Sequence, residues 1–203
     1  MGQIQVEKDV GGISGLCVIA PVIYGDKRGY FTETWNKNDL LKVGLDFHFV
    51  QDNQSGSVKG VLRGLHFQKH YPQAKLVRVI RGAVFDVAVD IRHGSATWGA
   101  WHGELLTEEN RHQFLIPRGF AHGFLVLSDR AEFCYKCDNF YHAEDEGGLA
   151  WNDPDIRIQW PEVVRVSNGA AGTSGYALSD GTPLLLSEKD SQWRGLRETD
   201  IPR

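Results

Sequence analysis

Short apolar runs recur along the chain at close intervals, cut by Gly, Asn, Asp and Pro, and within most of them apolar and polar residues alternate. A period of two turns successive side chains to opposite faces of a strand, one toward a core and one toward water. Strands are predicted over 16–24 (LCVIAPVIY), 30–35 (YFTETW), 47–53 (FHFVQDN), 61–68 (VLRGLHFQ), 75–80 (KLVRVI), 83–91 (AVFDVAVDI), 101–106 (WHGELL), 112–117 (HQFLIP), 122–127 (HGFLVL) and 132–137 (EFCYKC). Many short strands with turn residues between them predict a sandwich or barrel, not alternating strands and helices. KLVRVI and AVFDVAVDI flank Arg81-Gly82, which predicts a tight hairpin. One helix is predicted over 37–43, with Asn36 as its cap and Gly44 as its stop, and a weaker helical segment after Ser187. From about Glu162 the pattern loosens, and the Gly/Ser-rich stretch 168–183 predicts a loop or an irregular hairpin.

At 203 residues and 41% hydrophobic, the chain supports one well-buried core, and a single domain over 1–203 is expected, loop-rich from about 162. The net charge of -4 comes from 22 dispersed basic and 26 acidic residues, which argues against nucleic acid or an anionic membrane surface as partner. It leaves room for a small anion held by a few arginines. MGQIQVEKDVGGISGL has no apolar signal-like core and no window reaches membrane-spanning length, so a cytoplasmic protein is expected. Cys17, Cys134 and Cys137 are too few and odd for a disulfide framework. CYKC lies within an alternating strand pattern and reads as two incidental cysteines, not as a zinc or redox motif.

The stretch KGVLRGLHFQ places Arg63 and His66 in an otherwise buried strand. Strict alternation would send them to opposite faces, but Gly64 lies between, and a glycine inside a strand often marks a bulge that re-aims its neighbours into one cavity. A histidine there is a core residue, a metal ligand or a base. Gly60, five residues, then His66, together with PRGFAH at 117–122, resembles the two sequence motifs of cupin barrels. Metal-binding cupins carry a second His two residues after the first, and a Glu seven before a turn glycine. Here Gln68 and Lys75 occupy those positions, and an ammonium beside the site opposes a divalent cation. A metal-free pocket is expected, with His66 and His122 released for other work.

Taken in order, the blocks GDKRGYFTETWN, FVQDNQS, KGVLRGLHFQ, KLVRVIRGAVFDVAVDIRHGS, IPRGFAHGFLVLSD, EFCYKCDNFY and WNDPDIRIQWP resemble the dTDP-4-dehydrorhamnose 3,5-epimerase family over about 18–161. The resemblance implies an all-β, cupin-type double-stranded β-helix (jelly roll) with a few short helices, assembled as a homodimer. It implies cofactor-free inversion of C3 and C5 of dTDP-4-dehydro-6-deoxy-D-glucose, giving dTDP-4-dehydro-L-rhamnose for L-rhamnose biosynthesis. A proton next to the C4 ketone leaves only if a base reaches it and the enolate is stabilised. By the resemblance His66 is the base, Lys75 the cation facing the enolate, Tyr135 the acid on the opposite face, and Asp190 the partner that holds the imidazole tautomer. It also assigns substrate binding to Arg28, Glu33, Gln51, Asn53, Arg63, His122, Glu146 and Lys189. The spacing from Pro161 to Asp190 is longer than in the family, so Asp190 is matched on LSEKD alone and Asp180 is the alternative. Singly, His66 or Tyr135 could be a hydrogen-bonded core residue; together they carry the claim. Alternatives within the type are a 3-mono-epimerase or a 3,4-ketoisomerase. From other classes come a metal-dependent cupin oxygenase, disfavoured by Gln68 and Lys75, and a non-catalytic sugar-nucleotide-binding protein.

Overall fold

The computed structural model describes residues 4–166 and 175–201. Strands run in chain order as β1 (Ile4–Lys8), β2 (Cys17–Pro21), β3 (Ile23–Asp26), β4 (Gly29–Thr32), β5 (Gln51–Val58), β6 (Leu62–Gln68), β7 (Lys75–Arg81), β8 (Ala83–Asp90), β9 (Trp101–Thr107), β10 (Gln113–Ile116), β11 (Phe120–Val126), β12 (Arg130–Cys137), β13 (Glu146–Gly148), β14 (Val163–Arg165) and β15 (Tyr176–Leu178). Among the described residues one α-helix, α1, spans Lys37–Lys42. The strands form two large sheets of antiparallel neighbours, in the orders β1-β2-β10-β7-β12-β5 and β13-β6-β11-β8-β9. This is the expected jelly roll.

One apolar cluster joins the two sheets: Val77, Val79, Phe114 and Phe133 from the first pack with Val84, Phe124 and Val126 from the second. Phe124 and Phe133 stack at 4.3 Å. Each such side chain contributes about 1.5–3 kcal/mol by leaving water. The second sheet is covered on its other face as well, where Leu65, Val87, Val89 and Leu125 meet Leu149, Trp151, Leu178 and Leu184. That double burial explains why AVFDVAVDI reads as an almost continuous apolar run. The outer face of the first sheet is covered by Leu40 of α1 and by Phe47 and Phe49, which stack on each other.

Several elements differ from the sequence expectations. The predicted Arg81-Gly82 hairpin is not a paired one: β7 and β8 belong to opposite sheets, and Gly82 is where the chain crosses between them. A Cβ there would lie 2.1 Å from the Arg130 carbonyl oxygen, so the crossing needs glycine for close approach. The run 16–24 is broken at Val22, with β3 turning away to pair with β4 in a separate hairpin. Residues 47–50 are irregular, and the strand begins at Gln51. The helix matches, with the Asn36 side chain accepting from the Asn38 N–H. The segment after Ser187 forms only a turn, held by a Ser191 N–H to Ser187 O bond of 3.1 Å. Of the Gly/Ser-rich stretch, 176–178 form β15, which pairs with β14 upstream of it, 179–183 are turn and irregular, and 168–174 lies outside the described residues.

Candidate active site

Along the inner faces the lining changes from the apolar cluster to a polar region, and the change begins at the Gly64 bulge. His66 pairs with His122 of β11 and Arg63 with Phe124, so two residues of β6 oppose the single Gly123. Gly64 has φ of +122°, and a Cβ would lie 2.5 Å from Gly123 Cα. The extra residue shifts the strand by one position. Arg63 and His66 therefore line the same cavity, of about 440 Å³, with Asn53, Lys75, His122 and Tyr135. An adjoining space of about 220 Å³ adds Gln51, Tyr141 and Glu146 to His66, Lys75 and Tyr135.

His66 and Tyr135 stand on different sheets, β6 and β12, and face one cavity. The His66 Nε2–H donates to Asp190 Oδ1 at 2.5 Å, an oxygen that also accepts from Trp193 Nε1 at 3.3 Å. Burial pushes the Asp190 carboxyl up, but the His66 hydrogen bond and charge, with the bonds from Ser187 and Trp193, outweigh it and hold it below the usual range. Because a carboxylate only accepts, His66 carries its proton on Nε2 and its lone pair on Nδ1. Nδ1 lies 3.9 Å from Glu146 Oε1, and Glu146 Oε2 accepts from Lys189 Nζ at 2.6 Å and from Tyr141 OH at 3.1 Å. The alternative, Asp180, is elsewhere, paired with Lys59 at 2.6 Å on the surface. Burial raises the Tyr135 phenol, which keeps it protonated and able to donate. Burial also lowers the Lys75 ammonium; its Nζ lies 3.5 Å from His122 Nδ1.

Not every residue singled out from sequence reaches the cavity. Arg28, on the exposed β3–β4 hairpin, pairs with Asp26 at 2.5 Å, and Glu33 lines a separate recess with Tyr24, Trp35 and Asp39. Neither lies at the His66 site. Gln68 is tied to the 140–142 loop: its Nε2 donates to Phe140 O and Tyr71 O, and its Oε1 accepts from the His142 N–H. Among the described residues no group of three or more His, Cys, Asp or Glu side chains is placed to hold a metal ion. Sequence reasoning missed Asp86, Trp193 and the Tyr141–Glu146 contact. Asp86 had a signal, a carboxylate inside an apolar run. Trp193 had none.

The model of the dTDP-4-dehydrorhamnose 3,5-epimerase family matches residues 11–198. The chain belongs to that family. It is 50% identical to the dTDP-4-dehydrorhamnose 3,5-epimerase of Methanothermobacter thermautotrophicus over 190 residues, covering 93% of this chain and 94% of the relative. It is 53% identical to that of Escherichia coli over 182 residues, 89% of each. Among solved structures it is similar to a dTDP-6-deoxy-D-glucose-3,5-epimerase from Legionella pneumophila in complex with dTDP-4-keto-L-rhamnose. That match has a TM-score of 0.85 and 43% identity, covering 99% of this chain and 98% of that one. The Legionella pneumophila structure shares the architecture in which the His66 cavity sits.

Proposed function

We propose that this chain, as a cytoplasmic homodimer, inverts C3 and C5 of dTDP-4-dehydro-6-deoxy-D-glucose to give dTDP-4-dehydro-L-rhamnose. The observation that carries the mechanism is the placement of His66 and Tyr135 on facing sheets around one cavity. A sugar ring between them has a base on one face and an acid on the other. His66 Nδ1 takes the proton from the carbon beside the C4 ketone; the C–H electron pair moves into the ring and the ketone becomes an enolate. Lys75 balances the charge that develops on that oxygen. Tyr135 then delivers a proton to the opposite face, which inverts the centre; the imidazolium gives its proton to water, the phenolate takes one back, and the cycle repeats at the second carbon. Asp190 keeps the Nδ1 lone pair available and stabilises the imidazolium once it forms.

Arg63 and Lys189 line a further space that also reaches His66; a diphosphate leaving the ring there would meet a planar guanidinium suited to two oxygens at once. The dimer reading is supported by the β3–β4 hairpin, which leaves Tyr24, Tyr30 and Phe31 exposed at 44%, 59% and 62%. Arg28 and Glu33, on and beside that hairpin, serve a nucleotide only if a second copy's cavity meets them.

The test is NMR of the dTDP-4-keto-6-deoxy sugar in D2O, following deuterium uptake and inversion at C3 and C5. His66→Asn should lose both, by the ~10²–10⁴-fold typical of a general base. Tyr135→Phe should retain exchange, because the base can return a deuteron to the face it came from, while inversion is impaired. Exchange at the wild-type rate in His66→Asn would sink the mechanism, and normal inversion in Tyr135→Phe would move the acid to another group, Tyr141 being the next candidate.

A further inference from the structure

Asp86 is fully buried on β8, inside the barrel, and is assigned no part in the reaction so far. Both its carboxylate oxygens lie 3.0 Å from His122 Nε2, and His122 Nδ1 lies 3.5 Å from Lys75 Nζ. The three residues come from β8, β11 and β7, so the chain of contacts crosses from one sheet to the other. Burial pushes the Asp86 carboxyl up, while the His122 contact and the Lys75 charge favour its ionised form; ionised, Asp86 cannot donate. His122 therefore has its proton on Nε2, toward Asp86, and turns a lone pair toward the ammonium of Lys75. No carboxylate lies within ion-pair distance of Lys75 among the described residues.

We propose that Asp86 is a positioning residue for Lys75: through the tautomer of His122 it supplies the negative charge that keeps the buried ammonium protonated, without itself capping the N–H groups the enolate needs. This rests on the reading of Lys75 as the enolate-stabilising cation. A carboxylate in direct contact would hold Lys75 as tightly but would occupy the donors and cancel the charge where the substrate oxygen sits. Interposing a neutral imidazole separates the two tasks. The other groups facing Lys75 do not replace Asp86. Cys137, on β12, has its thiol pushed up to about 11 by burial and is neutral at working pH. Tyr135, whose ring centre is 5.9 Å from Nζ, is kept neutral by burial as well. Glu146 on β13 is held by Lys189 and Tyr141. His66, across the cavity, is engaged with Asp190. Burial drives the Lys75 ammonium toward deprotonation; Cys137 when ionised, Asp86 and the more weakly placed Glu146 oppose that.

The test is the pH dependence of deuterium exchange, which reads the deprotonation step and not the delivery by Tyr135. In Asp86→Asn the basic limb of the exchange rate should move about one pH unit lower, the effect of removing one charge at this remove at an effective dielectric constant of about 20. A basic limb at the wild-type pH, with a wild-type rate, would overturn the proposal. Lys75→Gln distinguishes the underlying reading: if it exchanges at the wild-type rate, Lys75 is not the enolate partner and both statements fall. If it loses exchange while Asp86→Asn is unchanged, only the Asp86 assignment falls. Should Asp86→Asn not fold, 15N spectra of the histidine rings in the wild-type protein decide. They should show His122 protonated on Nε2 and bare on Nδ1 across the active pH range. The opposite tautomer, or a His122 imidazolium, refutes the arrangement.

Discussion

Gly64→Ala tests whether the site depends on the bulge. The Cβ it adds has no room: it would lie 2.5 Å from Gly123 Cα and 2.8 Å from the His122 carbonyl oxygen, both backbone atoms that cannot rotate away. The residue also sits at φ of +122°, which costs a residue with a side chain about 1–2 kcal/mol. Forcing β6 and β11 apart to admit a methyl adds the about 1–3 kcal/mol typical of overpacking. The total, about 2–5 kcal/mol, is a large fraction of the 5–15 kcal/mol that holds an ordinary domain together. In a chain of 203 residues it should lower the Tm by roughly 4–20 °C. If β6 instead relieves the clash by losing its extra residue, Arg63 and His66 return to opposite faces and exchange at C3 and C5 collapses with the substrate pocket. Denaturant unfolding and the exchange rate, measured on the same preparation, read both effects. Gly56→Ala is the control, since nothing lies within 4 Å of its Cβ, and it should shift stability by no more than about 0.5 kcal/mol. Wild-type stability together with wild-type exchange in Gly64→Ala would refute the claim that this strand needs a glycine to build the site.

Asp190→Asn should reduce exchange and inversion together by ~10²–10⁴-fold, because an amide lets the His66 ring take the other tautomer; Asp180→Asn should leave the rate as it is, and the reverse ranking would return the orienting role to Asp180. The Asp190 carboxyl is held below its usual value, so its contribution to stability is present above about pH 4, the unfolded value, and is lost as pH falls through the folded one. Acid unfolding of Asp190→Asn should therefore be less steep there, which a pH titration of the unfolding midpoint checks. Light scattering at micromolar concentration should give the mass of two chains, and a monomer would remove the proposed cover for Tyr30 and Phe31.

Much of the architecture could be read from the period-two pattern, and the bulge from one glycine between two polar residues that had to share a cavity. What the pattern does not carry is partnership. Alternation says which face of a strand is buried, not which strand lies beside it, so β7 and β8 looked like a hairpin although they belong to opposite sheets. At the crossing itself, the approach of Gly82 to the Arg130 carbonyl is made by residues far apart in sequence. The His66–Asp190 contact joins positions 124 residues apart, beyond the reach of any local signal, and only the family motif pointed to it. Asp86 was overlooked for the opposite reason: its signal was local, a carboxylate within AVFDVAVDI, and the strand reading of that run gave it no task. A carboxylate in such a run is costly unless something answers it, and the surrounding strands hold the answer in His122.

The layer that covers the outside of the second sheet also carries Asp190. Leu185 bonds to the backbone of Gly60 and Leu62 at the head of β6, and a few residues later the same segment brings its carboxylate to the far side of His66. Most of the pocket wall, from Gln51 to Glu146, is encoded upstream of this segment, which adds Lys189 and Asp190. The same stretch closes the apolar back of the second sheet and fixes the lone pair of the base. A change that loosens this outer cover therefore loosens the base with it.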